Sequence, residues 1–233
     1  MRVSIVIPAY NEENRLPSTL KKIKKYLEGK DWESEIIVVD DGSLDKTALL
    51  AEKEGAKVLR NEKNMGKGYS VRKGILESRG DFIFFTDADL STPIEETERF
   101  LHWLKNGYDM VIGSRDHPEA KILKRQSWGR EKMGKIFNLI VRILFHLPYR
   151  DTQCGFKGFR REVAYILFRN LKTMGFAFDV EIILKARTLG FKIKELGVTW
   201  INSPQTTVKI FSTPIRMLKE ILVLKWGSII HKN

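Results

Sequence analysis

The 233-residue sequence is poor in the features that mark several protein classes. Its single cysteine, Cys154, allows no internal disulfide, so a reducing, cytoplasmic setting is expected. No apolar run reaches the roughly 20 residues that cross a bilayer. The most apolar stretch, Ile136 to Leu147 (IFNLIVRILFHL), is shorter and is interrupted by Arg142. The opening MRVSIVIPAYNEE is too short an apolar run for a signal peptide and reads as a first strand. Low-complexity linkers and internal repeats are missing. So are recognition-helix, zinc-finger and RNA-binding signatures, which removes nucleic acid as an expected partner. The four histidines have no partners at metal-ligand spacing.

Acids are outnumbered by bases, 29 to 41, for a formal charge of +12. That balance suits acidic lipid headgroups or a phosphorylated substrate, or else a lysine-rich solvated surface. The length fits a single domain. We divide it into a strand-rich half at 1–112, a second half at 113–211 and a tail at 212–233.

In the first half, VSIVIP, SEIIVVDD, AKVLRN, DFIFFTDAD and DMVIGSR have strand character. Between them, four stretches carry apolar residues at helical spacing, and Gly29, Gly55, Gly80 and Gly107 stand where C-terminal caps belong. Alternating strand and helix predicts an α/β fold with a mostly parallel sheet, whose ligands bind beyond the C-terminal strand ends. Those ends, PAYNEE, DDGSLD, DADLS and GSRD, are the most polar short stretches of this half. In the second half a long helix is expected within 124–147. RDTQCGFKGFRREVAYILF should give a loop, short strand and helix, FAFDVEIILKARTLG a helix and FKIKELGVTWI a strand. In the tail, STP begins an amphipathic helix with Ile215, Leu218, Leu222, Trp226 and Ile229 on one face. That face either packs on the core, the expected default, or lies on a membrane.

Asp87 and Asp89 are two apart, so in an extended strand both side chains point to one side. Paired carboxylates there suit Mg²⁺ or Mn²⁺, which binds through one or two carboxylates plus substrate phosphates. The competing reading is a helix cap, since STPIEE looks like a helix start near Pro93 with Glu95 and Glu96 at its positive end. Asp40 and Asp41 end another strand and can bond a base or ribose. Asp45 can cap the next helix. NMGKGYSVRKG places Lys67 at a helix start suited to phosphate, and a base could rest against Tyr10.

Taken together and in this order, these motifs resemble the family 2 glycosyltransferases of the GT-A fold, and within them the dolichyl-phosphate sugar synthases, over the chain to about Val208. The resemblance implies that Pro8, Tyr10 and Glu12, with Asp40 or Asp41, line the nucleotide, and that Lys67, Ala88 and Gln153 also face the donor. It implies that Asp87 and Asp89 hold the metal on the donor diphosphate. Mannose synthases carry a metal-binding glutamine where this chain has Ser91. Arg115 in GSRD and Arg130 on the following helix match phosphate-holding arginines, with Arg125 a rival to Arg130, and Gly134 replaces a mannose-synthase serine. Asp151, Gln153 and Lys157 are expected on a loop touching sugar or acceptor. Cys154 reads as a packed thiol. Asp179 and Glu181 point different ways on a helix, so at most one faces the site, as an orienting group.

The implied activity is inverting transfer of a hexose, glucose favoured, from UDP-glucose or GDP-mannose to a polyprenyl or dolichyl phosphate. The setting would be the cytosolic face of an anionic membrane, with the enzyme peripherally bound. The competing expectations are a mannose synthase, transfer to a soluble or polymer acceptor, and a nucleotide-binding membrane module without catalysis. The Q-x-x-R-W signature of processive synthases is missing.

Overall fold

A computed structural model describes residues 1–203 and 212–230. The chain runs β1 (Arg2–Ala9), α1 (Leu16–Glu28), β2 (Glu33–Asp40), α2 (Thr47–Lys53), β3 (Lys57–Arg60), α3 (Lys67–Leu76), β4 (Phe82–Thr86), α4 (Glu96–Lys105) and β5 (Met110–Ser114). It continues through β6 (Lys121–Lys124), α5 (Trp128–Phe145), β7 (Phe156–Arg160), α6 (Arg161–Arg169), α7 (Phe178–Thr188), β8 (Ile193–Gly197), β9 (Thr199–Ile201) and α8 (Ser212–Ile230).

Strands β1 to β5, β7 and β8 form one sheet in the order β3-β2-β1-β4-β7-β5-β8. All pairings are parallel except those of β7, which runs antiparallel between β4 and β5. Strand alternation assigns each apolar side chain to a face. Val6, Ile37, Ile83 and Phe85 join one buried cluster with α3, α5, α6, α7 and α8 residues. Ile5, Ile7, Val38 and Phe84 join the other with α1 and α4. The greasy run FIFF is thus split between two cores, which is why it carries no alternation of its own.

Two features of this order create the site. The chain switches direction across the sheet between β1 and β4, where a crevice opens beyond the strand ends. Because β7 is antiparallel, its first residue Phe156 pairs with Thr86, the last of β4. The preceding loop 151–155 is therefore delivered to the same end of the sheet.

Several expectations need correcting. FKIKELGVTWI forms two strands: β8 joins the main sheet, while β9 pairs with β6, a strand absent from the sequence reading. Gly80 is no helix cap, because α3 ends at Leu76; it lies where a Cβ would meet the Ser4 backbone nitrogen at 2.6 Å. In the tail, Met217 and Ile221 pack on the core, whereas Leu218 and Leu222 of the expected packing face are exposed. The cap at Ser212 and the side chains of Ile215, Trp226 and Ile229 lie outside the described residues. Among the described residues no helix is long and apolar enough to cross a membrane.

Candidate active site

Beyond Thr86 the chain does not stay extended. Leu90 N–H donates to the Asp87 carbonyl at 3.0 Å and Leu90 has φ 48°, so Asp87 and Asp89 sit on a turn. Strand alternation therefore does not aim them. Asp87 is held by Lys67 Nζ at 2.6 Å. It also backs onto Gly155, where a Cβ would lie 1.9 Å from Asp87 Oδ2, so only glycine fits there. Asp89 Oδ1 accepts Ser91 N–H at 3.0 Å. Burial, and then the Asp87 charge, hold the Asp89 carboxyl above its usual range. The expected helix begins at Glu96 rather than Pro93 and has no side-chain cap, so the cap reading explains neither acid.

Among the described residues no cluster of three or more His, Cys, Asp or Glu could hold a metal alone. Two close carboxylates, one of them strained by the other's charge, nevertheless fit a hard cation that takes its remaining ligands from phosphate and water.

The start of α3 is not an open phosphate seat. Met65 and Gly66 N–H donate to the Asp41 carboxylate, both at 2.9 Å, and the N–H groups of Gly68 and Tyr69 donate to the carbonyls of Gly175 and Met174. Lys67 reaches the site by its side chain instead. Burial opposes its charge, but Asp87 and then Asp179 hold the ammonium above its ordinary value.

Asp40 and Asp41 have diverged in role. Asp41, also bonded by Asn61 Nδ2 at 2.8 Å, is consumed by the 61–66 turn. Asp40 is fully buried and takes Ser43 N–H on Oδ1 at 3.1 Å. Arg60 Nε lies 3.1 Å from Oδ2 without hydrogen-bond alignment, leaving that oxygen a buried acceptor with no donor. Pro8 and Tyr10, both half-buried, flank the end of β1. Glu12 is buried, and its carboxylate is clasped by Arg15, whose Nη1 also donates to Ser203 Oγ at 3.1 Å.

The loop before β7 organises the other side. Asp151 is fully buried, and its carboxylate receives Arg115 Nε at 2.6 Å and Nη2 at 3.0 Å. Burial raises the Asp151 carboxyl, but Arg115 overrides this and the net position is well below the usual range. Asp151 is thus a brace for Arg115 rather than a substrate contact, and two of the three guanidinium nitrogens are already engaged. Lys157 is not on the loop but within β7, with no exposed surface. Its Nζ bonds Asp179 Oδ1 at 2.5 Å and the Cys154 carbonyl at 2.7 Å. Burial raises the Asp179 carboxyl, with Lys157 opposing. Glu181 turns away, accepting the N–H groups of Lys172 and Thr173 and pairing with Lys185. Cys154 is buried, its thiol pushed up to about 11 by burial, as a packed group rather than a nucleophile. Gln153 and Ala88 lie beside these groups, Gln153 half-buried and Ala88 buried.

Beside Arg115 lies a cavity of about 170 Å³. Its cations are Arg115, Arg125, Arg130 and Lys135, its acids Asp116 and Glu131, and its apolar walls Ile122 and Trp200. Arg115 lies 6.0 Å from the Trp200 ring centre. Arg130 is half-buried and has no ion pair among the described residues, so it and Arg125 both face this space. Trp200, Lys135, Glu131 and Asp116 were not anticipated. Trp200 comes from β9, which pairs with the unexpected strand β6, and the others line a space that brings together Asp116 after β5 with the first turns of α5.

A mostly parallel sheet with paired acids beyond its strand ends at the switch point, and a cationic cavity beside them, is the arrangement of a glycosyltransferase of the GT-A fold. The family described as Glycosyl transferase family 2 matches residues 4–168, and the chain belongs to it. It is 36% identical over 241 residues to dolichyl-phosphate beta-glucosyltransferase of Dictyostelium discoideum, covering 96% of this chain and 74% of that one. The Homo sapiens protein of the same name is 35% identical over 242 residues, covering 96% and 75%. Glucosyl-3-phosphoglycerate synthase from Mycobacterium tuberculosis, solved with Mn²⁺ and UDP-glucose, superposes with a TM-score of 0.70 at 22% identity, covering 97% of this chain and 79% of that one. The same synthase has been solved with Mg²⁺ and UDP.

Proposed function

We propose that this enzyme transfers a glucosyl unit from UDP-glucose to a polyprenyl or dolichyl phosphate, with inversion, while docked on the cytosolic face of a membrane. The observation that carries the reading is the cavity on Arg115, Arg125, Arg130 and Lys135, which adjoins, through Arg115 and Asp151, the loop that meets Asp87. The relatives' names give the acceptor class, and the neighbour bound to UDP-glucose gives the donor.

The donor base would use Asp40 Oδ2, which is ion-paired with Arg60 but accepts no hydrogen bond, as acceptor for a ring N–H, with Pro8, Tyr10 and Glu12 along the nucleotide. Mg²⁺ or Mn²⁺, held by Asp87 and Asp89, would supply positive charge to the departing diphosphate. A phosphate monoester has its second pKa near ~6, so it arrives as a ready oxyanion and needs no general base. The protein's task is then to position that oxygen. Arg130 grips the phosphate. Arg115, braced by Asp151, offers its remaining Nη1 in a fixed direction. Asp179, committed to Lys157, orients the buried cations and takes no proton.

Ile136, Leu139, Ile140 and Ile143 make an i, i+3, i+4, i+7 stripe on the exposed side of α5, and Leu218, Leu222 and Val223 of α8 are exposed as well. Between Lys121 and Arg150 stand eight Lys or Arg and one acid, Glu131, so the segment that carries this stripe is strongly basic, which suits anionic lipid. A soluble phosphorylated acceptor would have no use for it.

A donor screen with UDP-glucose and GDP-mannose, with Mg²⁺, Mn²⁺ or chelator, and with or without polyprenyl phosphate vesicles, tests the reading. Lipid-dependent release of UDP supports it. Equal turnover without lipid overturns the acceptor, and preference for GDP-mannose overturns the sugar.

A further inference from the structure

Glu131 is out of place in a cavity meant for an anion. It is the one acid among the basic residues of 121–150, it lies in the first turn of α5, and it lines the cavity beside Arg130. Its Oε1 bridges two of the four cavity cations, meeting Lys135 Nζ at 2.9 Å and Arg125 Nη1 at 3.2 Å. Those ties hold its carboxyl below the usual range, Lys135 most of all, so it is a full anion at neutral pH. Asp116 stands on the far wall of the same cavity. Resting on the reading that the cavity takes the acceptor phosphate, we propose that Glu131 is a tethered competitor that makes the site select phosphate monoesters over phosphodiesters.

The physical argument is one of charge. An incoming headgroup gains Arg125 and Lys135 only by displacing the carboxylate, which is singly charged and is always present at high local concentration. A phosphodiester headgroup is also singly charged, so the exchange gives it little, and the displaced Glu131 then repels it. A monoester near neutral pH carries a charge close to −2 and a third free oxygen, so it wins the exchange. A membrane-docked enzyme is surrounded by phosphodiester lipids far in excess of its acceptor. Without Glu131, Arg125 and Lys135 would be left for these diesters to occupy, whereas the carboxylate that bridges them keeps the diesters out. Glu131 is thus a specificity-determining residue that touches neither donor nor transferred sugar.

The test uses the full chain with UDP-glucose, Mg²⁺ or Mn²⁺, and polyprenyl phosphate in phosphatidylcholine vesicles. Phosphatidylglycerol is added as the membrane diester competitor and dimethyl phosphate as a soluble one. In the Glu131→Gln variant, inhibition by phosphatidylglycerol should strengthen by about fivefold, while the acceptor KM measured without competitor falls by less. Dimethyl phosphate, which needs no membrane, should also inhibit Glu131→Gln more strongly than the wild type, and equal inhibition of the two would place the change in vesicle binding and overturn the inference. Glu131→Asp, which keeps the charge, should restore discrimination. Equal inhibition of wild type and Glu131→Gln by phosphatidylglycerol overturns the inference, as does a charge-independent effect in which Asp and Gln behave alike. If the wild type transfers nothing to polyprenyl phosphate, the acceptor reading itself has failed, which is a separate result.

Discussion

At the donor end of the cleft, Asp40, Asp41 and Glu12 are at most 7% exposed. Nearly every oxygen there is bonded to a neighbouring loop. At the acceptor end, the side chains of Arg125 and Lys135 are 71% and 57% exposed, and Ile143 is 67% exposed. The first region is preorganised: its polar groups are fixed before a ligand arrives, as recognition of a rigid nucleotide requires. The second keeps exposed cations and unburied apolar surface, which suits a flexible lipid at a membrane interface. Substitutions should therefore act on chemistry and folding at one end, and on partner choice at the other.

The largest effect is expected from Asp87 and Asp89. Asp89→Asn should lower kcat by about 10²–10³-fold with little change in urea midpoint, read by UDP release. Gly155→Ala should approach this loss without altering a charged group, because its Cβ would occupy the space of the Asp87 carboxylate. Retained activity in Gly155→Ala would show that the Asp87 position is not critical.

Next comes Asp151→Ala, which strands the braced Arg115 beside a buried gap. We expect about 3–5 kcal/mol of lost stability by urea unfolding. The Asp151 carboxyl is depressed on folding, so its contribution is fully present above its ordinary pKa near ~3.9 and is lost as pH falls through the lower folded value. The stability gap between wild type and variant should narrow only under strong acid. A gap that closes near neutrality would contradict the brace.

The exposed apolar stripe of α5 gives a smaller, selective effect. Leu139→Ser with Ile143→Ser should weaken sedimentation with anionic vesicles by about tenfold, while exposed positions leave stability within about 0.5 kcal/mol. Unchanged vesicle binding would assign the stripe to another partner. Smallest of all is Cys154→Ser, expected to cost about 1 kcal/mol of stability and to retain transfer, since the thiol is packed and its proton is held tightly.

The succession of strands and helices along the chain was legible through β5 because each unit there is local: an apolar run, a polar turn, then a helix. The site acids were legible for the same reason, since they lie at the ends of those runs. What escaped depended on distant pairing. That Lys157 would be buried in a strand required knowing that β7 runs antiparallel between β4 and β5, and a basic residue in a polar-looking loop gives no such sign. Asp40 and Asp41 are adjacent and chemically identical, so only the fold separates the acceptor with a free oxygen from the one that closes the 61–66 turn. The tail illustrates how a helical period can mislead. Met217 and Ile221 turn inward one residue before Leu218 and Leu222, and a two-sided apolar helix offers no rule for which face the core takes.

The most direct measurement follows UDP released from UDP-glucose with Mg²⁺ or Mn²⁺ as polyprenyl phosphate is titrated into vesicles. Lipid-phosphate transfer predicts saturable release that coincides with a glucosylated lipid, and near-background release without the lipid. Release that is undiminished without lipid phosphate, or glucose recovered on a soluble acceptor instead, would contradict it.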